Sequence, residues 1–476
     1  MTGALAPVLV YGLGRSGLAV VRRAAAAGTP VSFYEARSAG ADIDAALALG
    51  SDRVTDVAVW LGAQTQAPTP LVVAAPGVPI DHPDLQRLRD GGAEVIGEVE
   101  WVWRQVSGRY VAVTGTAGKG SVTRWCGDTL AGAGLEVAVG GNIEPALAAV
   151  ARAGATHVVE MSSFQLERCP TFAPAVAVLL NLGEDHIDRH GSVAAYHQAK
   201  KNLLANLGAT STLVVNIDDA VLAGWAHEAE ASVGRVLRFS LTGPADAHLD
   251  ATGTLQLLDR PLLHRSELRL RGDHQVANAL ATALAAHAAG VEHEGIVTGL
   301  RAFEGLPGRY ADAGTVGRVA FVEDSIATRP LAVAAALKAT PRPLVWLAGG
   351  QGKGANVSDL KELVAERVDL LITFGASATQ FAEAYAGLTE VQRVEGADGA
   401  ATMRALVERS LQYLRERHAG AGNVLLAPLA TSFDQFTDYQ ARGQAFRQAV
   451  SAAAAAYNGG AATLTAGADT PAGGQA

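Results

Sequence analysis

The sequence predicts an α/β protein of three domains: a Rossmann-like N-terminal domain, a central parallel-sheet domain built on a phosphate loop, and a C-terminal Rossmann-like domain. Three observations carry that expectation. Short apolar runs alternate with helical stretches over most of the chain, the pattern of parallel sheets covered on both faces. Two of the runs open into glycine turns, at 12–17 and 115–120, each followed by a helix start. The chain has 476 residues, more than one hydrophobic core ordinarily holds.

The first domain is placed at 1–97. Residues 7–11 (PVLVY) read as a strand, and Gly12, Gly14 and Gly17 after it fit GxGxxG. Glu35 ends the next strand, 31–34, where an acid conventionally meets a ribose hydroxyl. The pattern suits any Rossmann-like unit that takes a nucleotide diphosphate, so NAD has no special claim. A third strand, 71–75, ends in Pro76-Gly77.

The central domain is placed at 98–305. Three apolar residues, 111–113, can form a strand buried on both faces. Gly115, Gly118 and Gly120 then let the backbone turn tightly against a ligand, Lys119 adds a cation in a turn expected to face solvent, and Ser121 leads into a helix reaching about residue 133. Amides of such a loop converge on phosphate oxygens. The spacing GxxGK is shorter than the Walker A pattern, hence a variant of it. Strands at 137–139, 156–160, 175–180 and 212–216 follow. Gly115, Glu160 and His186 each lie at or just past a strand's carboxyl end, where ligands bind in such sheets. A helical stretch carries Tyr196, His197, Lys200 and Lys201. The bland alternatives are a surface carboxylate at Glu160, a loop histidine at His186 and a solvated helix face at Lys200.

The third domain, 306–457, repeats the alternation with strands at 319–323, 344–347, 368–374 and 423–427. The stretch 452–476 is low-complexity Ala, Gly and Thr, expected to fray, with 458–476 as a disordered tail.

A net charge of −9 argues against nucleic-acid binding and against an anionic membrane surface. Two cysteines, Cys126 and Cys169, provide neither a disulfide framework nor a CxxC metal site. No basic leader and no apolar run of about 18 residues occurs, so a cytoplasmic protein is expected.

The motifs taken together resemble the Mur ligases, ATP-dependent amide-forming enzymes of peptidoglycan precursor synthesis, and most of all the branch that adds D-glutamate. The resemblance rests on GTAGK at 115–119, GGNI at 140–143, EMSSFQLE at 160–167, EDHIDRH at 184–190 and YHQAK at 196–200. It continues through VVNIDD at 214–219, LPGRY at 306–310, GGQGK at 349–353 and SFDQF at 432–436. It implies ATP, UDP-N-acetylmuramoyl-L-alanine and D-glutamate as substrates and magnesium (two ions) as cofactor; a monomer without nucleic acid or membrane insertion is expected. Arg15, Ser16, Glu35, Arg37 and Gly77 would line the UDP pocket. Gly115, Thr116, Ala117, Gly118, Lys119, Gly120 and Ser121 would hold the ATP phosphates, with Asn278, Arg309 and Asp324 as adenine, phosphate and ribose contacts. Ser121, Glu160 and His186 would ligate metal, and Lys200 matches the family's carbamylated lysine. Lys119, His186 and Lys200 would thus be the catalytic set. Asn142, Ser162 and Ser163 would position the sugar-peptide, and Thr328, Lys353, Ser432 and Tyr439 the incoming glutamate.

Several positions depart from the family pattern. Ala117 stands where asparagine is usual, and Gly120 follows the lysine in place of a hydroxyl residue, an order that resembles folylpolyglutamate synthases. Glu144 replaces a glycine, Gln275 an asparagine, and Ile326 a lysine expected near the glutamate site. Another ligase of the superfamily, one adding L-glutamate or extending folate, and a nucleotide-binding protein without catalysis therefore remain alternatives.

Overall fold

The structure is a computed structural model that describes residues 7–64, 69–270, 272–352, 357–396 and 398–465. The chain is a three-domain α/β protein whose described strands form three sheets. It divides into two compact units: one reaches Phe303 but leaves 269–273 to the other, which also holds everything described from Glu304 on.

In the first unit, β1 (Val8–Tyr11), β2 (Val31–Tyr34), β3 (Asp52–Val54), β4 (Leu71–Ala74) and β5 (Glu94–Ile96) form a parallel sheet in the order β3-β2-β1-β4-β5. Val8 and Val10 enter one hydrophobic core while Leu9 and Tyr11 enter another, so β1 is apolar throughout because both of its faces are covered. The helix Arg15–Ala26 leaves the glycine turn directly. A Cβ on Gly17 would lie 2.0 Å from the Gly12 carbonyl oxygen, so this helix can approach the turn only with glycine there.

The second sheet of the same unit has nine described strands. Its parallel part runs through β6 (Arg109–Thr114), β7 (Val137–Gly141), β8 (Thr156–Glu160), β9 (Val176–Leu179), β10 (Thr212–Asn216), β11 (Arg235–Ser240) and β12 (Ala247–Leu249). β13 (Thr254–Leu257) and β14 (Arg260–His264) add an antiparallel edge that the sequence reading did not anticipate. β6 lies between β8 and β9, so the loops after all three strands share one edge.

The second unit carries β15 (Ala311–Val316), β16 (Arg318–Glu323), β17 (Leu344–Gly349), β18 (Leu370–Phe374), β19 (Glu390–Val394) and β20 (Ala421–Leu426) in the order β15-β16-β20-β17-β18-β19. Only β15 is antiparallel to its neighbour among these described strands. Val345 and Leu347 face one core and Leu344, Trp346 and Ala348 the other, again a strand covered on both sides. The helix Tyr439–Thr465 corrects the expectation for 452–465, which are helical, their run of alanines being strong helix formers; the rest of the expected tail, 466–476, lies outside the described residues.

Candidate active site

The phosphate loop begins where β6 ends at Thr114. Gly118 caps the helix Lys119–Gly132 with a φ of 83°, and a Cβ there would stand 2.6 Å from Asn278 Oδ1. Only glycine meets both demands. Thr116 donates its amide to the Asn181 carbonyl at 2.9 Å. The Asn181 side chain then takes both backbone groups of Ala117: it accepts the amide at 2.8 Å and donates to the carbonyl at 3.1 Å. Tyr196 donates to Thr116 Oγ1 at 3.1 Å, and that hydroxyl oxygen also accepts the Gly183 amide at 2.9 Å. The loop is thus held from beneath by the segment after β9. Asn181 went unassigned in the sequence reading, and its place as the first residue after an apolar strand was the only signal.

Two lysines converge on the loop. Lys119 is half-buried, not in a solvent-facing turn, and its Nζ donates to the Gly115 and Thr116 carbonyls at 3.0 Å each. Lys200 is 1% exposed and donates to the same Gly115 carbonyl at 2.7 Å, with its Nζ over the Tyr196 ring. Burial, and then repulsion from Lys119, bring its pKa down to about 7, against the opposing pull of Asp185 and Glu160. A solvated helix face is excluded for Lys200. Glu160 is no surface carboxylate either: it is 3% exposed, one oxygen accepts from Asn142 Nδ2 at 2.7 Å, and the other is buried with no hydrogen-bond partner. Ser121 is buried in the first turn of the helix, and Asn278, also buried, donates to Gln275 Oε1 at 3.1 Å.

His186 has a left-handed backbone, φ 54°, costly for a non-glycine residue and characteristic of functional loops. Its ring lies 4.7 Å from Phe164 and beside Asp185. Ser162 caps the turn Ser163–Leu166 reciprocally with Gln165. Ser163 meets His190 Nε2 at 3.0 Å, while His190 Nδ1 faces Glu167 Oε1 at 3.2 Å. Desolvation lowers the pKa of this buried imidazole, so the neutral ring can donate to Glu167 and accept from Ser163. Among the described residues no three His, Cys, Asp or Glu side chains form a metal-binding group.

In the first domain, Glu35 does not hold its carboxylate free. One oxygen accepts the Leu13 amide of the glycine turn at 3.0 Å and both accept from Arg37. The Arg37 guanidinium, above all, holds the carboxyl down at about pKa 2. Arg37 reaches Asp42 as well. Arg15 is exposed and ion-paired with Glu144, so the residue that departs from the family pattern has a specific partner. Their pair lines a cleft of about 1050 Å³ beside Leu18, Arg22 and Pro145. Ser16, half-buried, stands next to Arg15 in the helix. Gly77 is exposed, and a Cβ there would meet nothing within 4 Å.

In the second unit Asp324 is 8% exposed, and burial pushes its carboxyl up to about 7 despite the nearby Arg309. Its neighbour Glu323, fully buried, accepts the Gly308 and Ser325 amides at 2.9 Å each and pairs with Arg447. A Cβ on Gly308 would stand 3.2 Å from the Tyr439 ring, which therefore packs on the LPGRY turn. Ile326 donates its amide to the Gly308 carbonyl at 3.1 Å, and Thr328 donates its own to Ile326. Ser432 is buried, and its carbonyl accepts the Gln435 and Phe436 amides. Arg442, which no motif singled out, is fully buried and donates to the carbonyls of Gly349, Ser325 and Ala430. Lys353 lies outside the described residues.

Comparison with known proteins matches residues 6–97 to the family described as "Mur ligase MurD-like, N-terminal domain" and residues 113–286 to "Mur ligase middle domain". A relative from Thermus thermophilus named UDP-N-acetylmuramoylalanine--D-glutamate ligase is 41% identical over 448 residues, covering 93% of this chain and 96% of its own. A Deinococcus radiodurans protein of the same name is 40% identical, with 94% and 92% covered. Among solved structures, the UDP-N-acetylmuramate-alanine ligase of Thermotoga maritima superposes with a TM-score of 0.55 at 16% identity, covering 94% of this chain and 99% of that one. The MurF ligase of Thermotoga maritima in complex with ADP gives 0.55 at 16% identity, with 95% and 96% covered. At such identities the structural likeness speaks for the fold.

Proposed function

This chain belongs to the Mur ligase family, and on that premise we propose that it joins D-glutamate to UDP-N-acetylmuramoyl-L-alanine at the expense of ATP. The observation that carries the reading is the phosphate loop with Lys119 and Lys200 on one carbonyl and the unpartnered Glu160 oxygen close by. The alanyl carboxylate attacks the γ-phosphorus, ADP leaves, and an acyl phosphate results. The glutamate amine then attacks the acyl carbon, phosphate departs with the bonding pair, and the amine loses a proton to leave an amide.

The chain's own groups act mainly on charge. Lys119 turns from its two carbonyls to the transferring phosphoryl oxygens, and the first amides of the helix Lys119–Gly132 serve their neighbours, those of Thr116 and Ala117 being held by Asn181. Asn278, Arg309 and Asp324 contact the nucleotide, and Asn142, Ser162 and Ser163 orient the sugar-peptide. Arg15, Ser16, Glu35, Arg37 and Gly77 receive the UDP part, Glu35 by fixing Arg37 and the turn. Thr328, Lys353, Ser432 and Tyr439 receive glutamate. Magnesium, which Ser121, Glu160 and His186 would hold, neutralises phosphate charge when bound; a buried carboxylate oxygen with no partner suits that ion. A pKa of about 7 leaves much of Lys200 as neutral amine near neutrality. That amine can attack carbon dioxide and lose a proton, giving a carbamate whose negative charge would serve a second ion.

We take the domain limits as 1–97, 98–305 and 306–457, and the protein as a cytoplasmic monomer acting on small molecules without nucleic acid or membrane insertion. No described helix is long and apolar enough to cross a membrane. The test is ADP release with UDP-N-acetylmuramoyl-L-alanine and either enantiomer of glutamate. Release that depends on D-glutamate is expected. Release that prefers L-glutamate, to which Ile326 in place of lysine draws attention, would reassign the amino acid, and no release would remove the ligase reading.

A further inference from the structure

Ala75-Pro76-Gly77-Val78 is a turn closed by the Val78 amide donating to the Ala75 carbonyl at 3.0 Å. It packs on the glycine turn, since a Cβ on Gly12 would stand 3.1 Å from that of Ala75. One side chain from the central domain takes both outer carbonyls of this turn: Arg168 Nη1 donates to Ala75 at 3.1 Å and Nη2 to Val78 at 2.5 Å. Arg189 donates to the same Val78 carbonyl at 3.1 Å and pairs with Glu167. The Arg168 main-chain carbonyl also accepts the Gly97 amide at 2.9 Å.

Arg168 is 2% exposed, and its Nε has no hydrogen-bond partner. Burying a guanidinium against carbonyl dipoles carries a desolvation cost, and an apolar side chain of similar volume is commonly no worse for stability. What a guanidinium alone supplies is a rigid planar fork that fixes two acceptors relative to each other. The two arginines arise from the segments that carry Ser162, Ser163 and His186, and Arg189 follows His186 by three residues.

We propose that Arg168, seconded by Arg189, is a positioning residue for the UDP part of the substrate, holding the turn that bears Gly77 in register with the strand-end segments of the central domain. The proposal rests on the reading of the first domain as the UDP site. A substrate spanning both domains then meets its two ends at a fixed separation, and loosening the fork penalises that substrate while sparing ATP.

The experiment uses the full chain and measures KM separately for UDP-N-acetylmuramoyl-L-alanine and for ATP, with the rise in melting temperature caused by UDP. For Arg168→Met, KM for the UDP substrate should rise about tenfold, the equivalent of roughly 1.4 kcal/mol. KM for ATP should stay within twofold, and UDP should protect less than in the wild type. Arg168→Lys, which can reach one carbonyl at a time, should recover part of the loss. An unchanged KM for the UDP substrate, or equal rises for both substrates, overturns the proposal. If Arg168→Met does not fold, Arg189→Gln decides by the same reading: a selective rise of a few fold supports the role and no rise refutes it. A wild type that UDP does not protect would instead remove the reading of the first domain, and this proposal with it.

Discussion

The glycine turn at 12–17 and the glycine loop at 115–120 both leave the carboxyl end of a parallel strand with neighbours on either side, and both feed a helix. They are completed by opposite charges. The first turn is closed by an anion, Glu35, which takes the Leu13 amide and keeps Arg37 beside it. The second has a cation beneath it, Lys119, and beside that a buried amine, Lys200; both donate to backbone carbonyls of the loop. A turn whose amide is already occupied by a carboxylate offers an arginine and a smooth backbone to its ligand. A loop whose lysine, Lys119, donates to neutral carbonyls offers charge that can move to phosphate. The shared glycine spacing therefore marks a place for a nucleotide, and the residue under the turn decides which part of it is gripped.

Removing the mobile charge should have the largest effect on this contrast. Lys119→Ala is expected to lower turnover by about 10²–10³, the usual consequence of losing one preorganised charge at a developing transition state. Near-normal turnover in a folded variant would mean that the two turns do not differ in the way described.

The charges beneath the turns should also separate by pH. Glu35 has a folded pKa of about 2 against an ordinary 4.5, so its contribution is complete above 4.5 and is lost as pH falls towards 2. Lys200 has a folded pKa of about 7 against 10.5, so between those values the unfolded chain binds the extra proton and stability rises with pH. Glu35→Gln should flatten the acid limb of a denaturation-midpoint curve, and Lys200→Met the limb from about 7 to 10.5. Exchange of the two effects, or absence of both, would break the assignment of opposite charges.

Gly77→Ala should produce the smallest and most selective change. Its Cβ would find open space and its φ is not positive, so stability should stay within about 0.5 kcal/mol. KM for the UDP substrate should nevertheless rise a few fold, because the added methyl stands where a ligand approaches backbone. An equal loss of stability would make Gly77 a fold residue.

The sequence by itself determined the strands that leave these turns, the glycine spacings and the order of the motifs. Those signals are local: an apolar strand covered on both faces, a turn that needs glycine and a helix start are each complete within a few residues. It also placed Glu160, His186 and Lys200 near strand ends or on the following helix. Tertiary structure alone decided their chemistry. Lys200 is neutralised by burial against a carbonyl 85 residues away, and Arg168 takes a carbonyl 93 residues away, partners that no spacing rule links. The sequence offered Glu35 to a ribose, whereas the fold spends it on Leu13 and Arg37; it left Glu144 unexplained, whereas the fold pairs it with Arg15. Desolvation and ion pairing depend on what distant segments bring to a side chain, and that is fixed only when the sheets have closed.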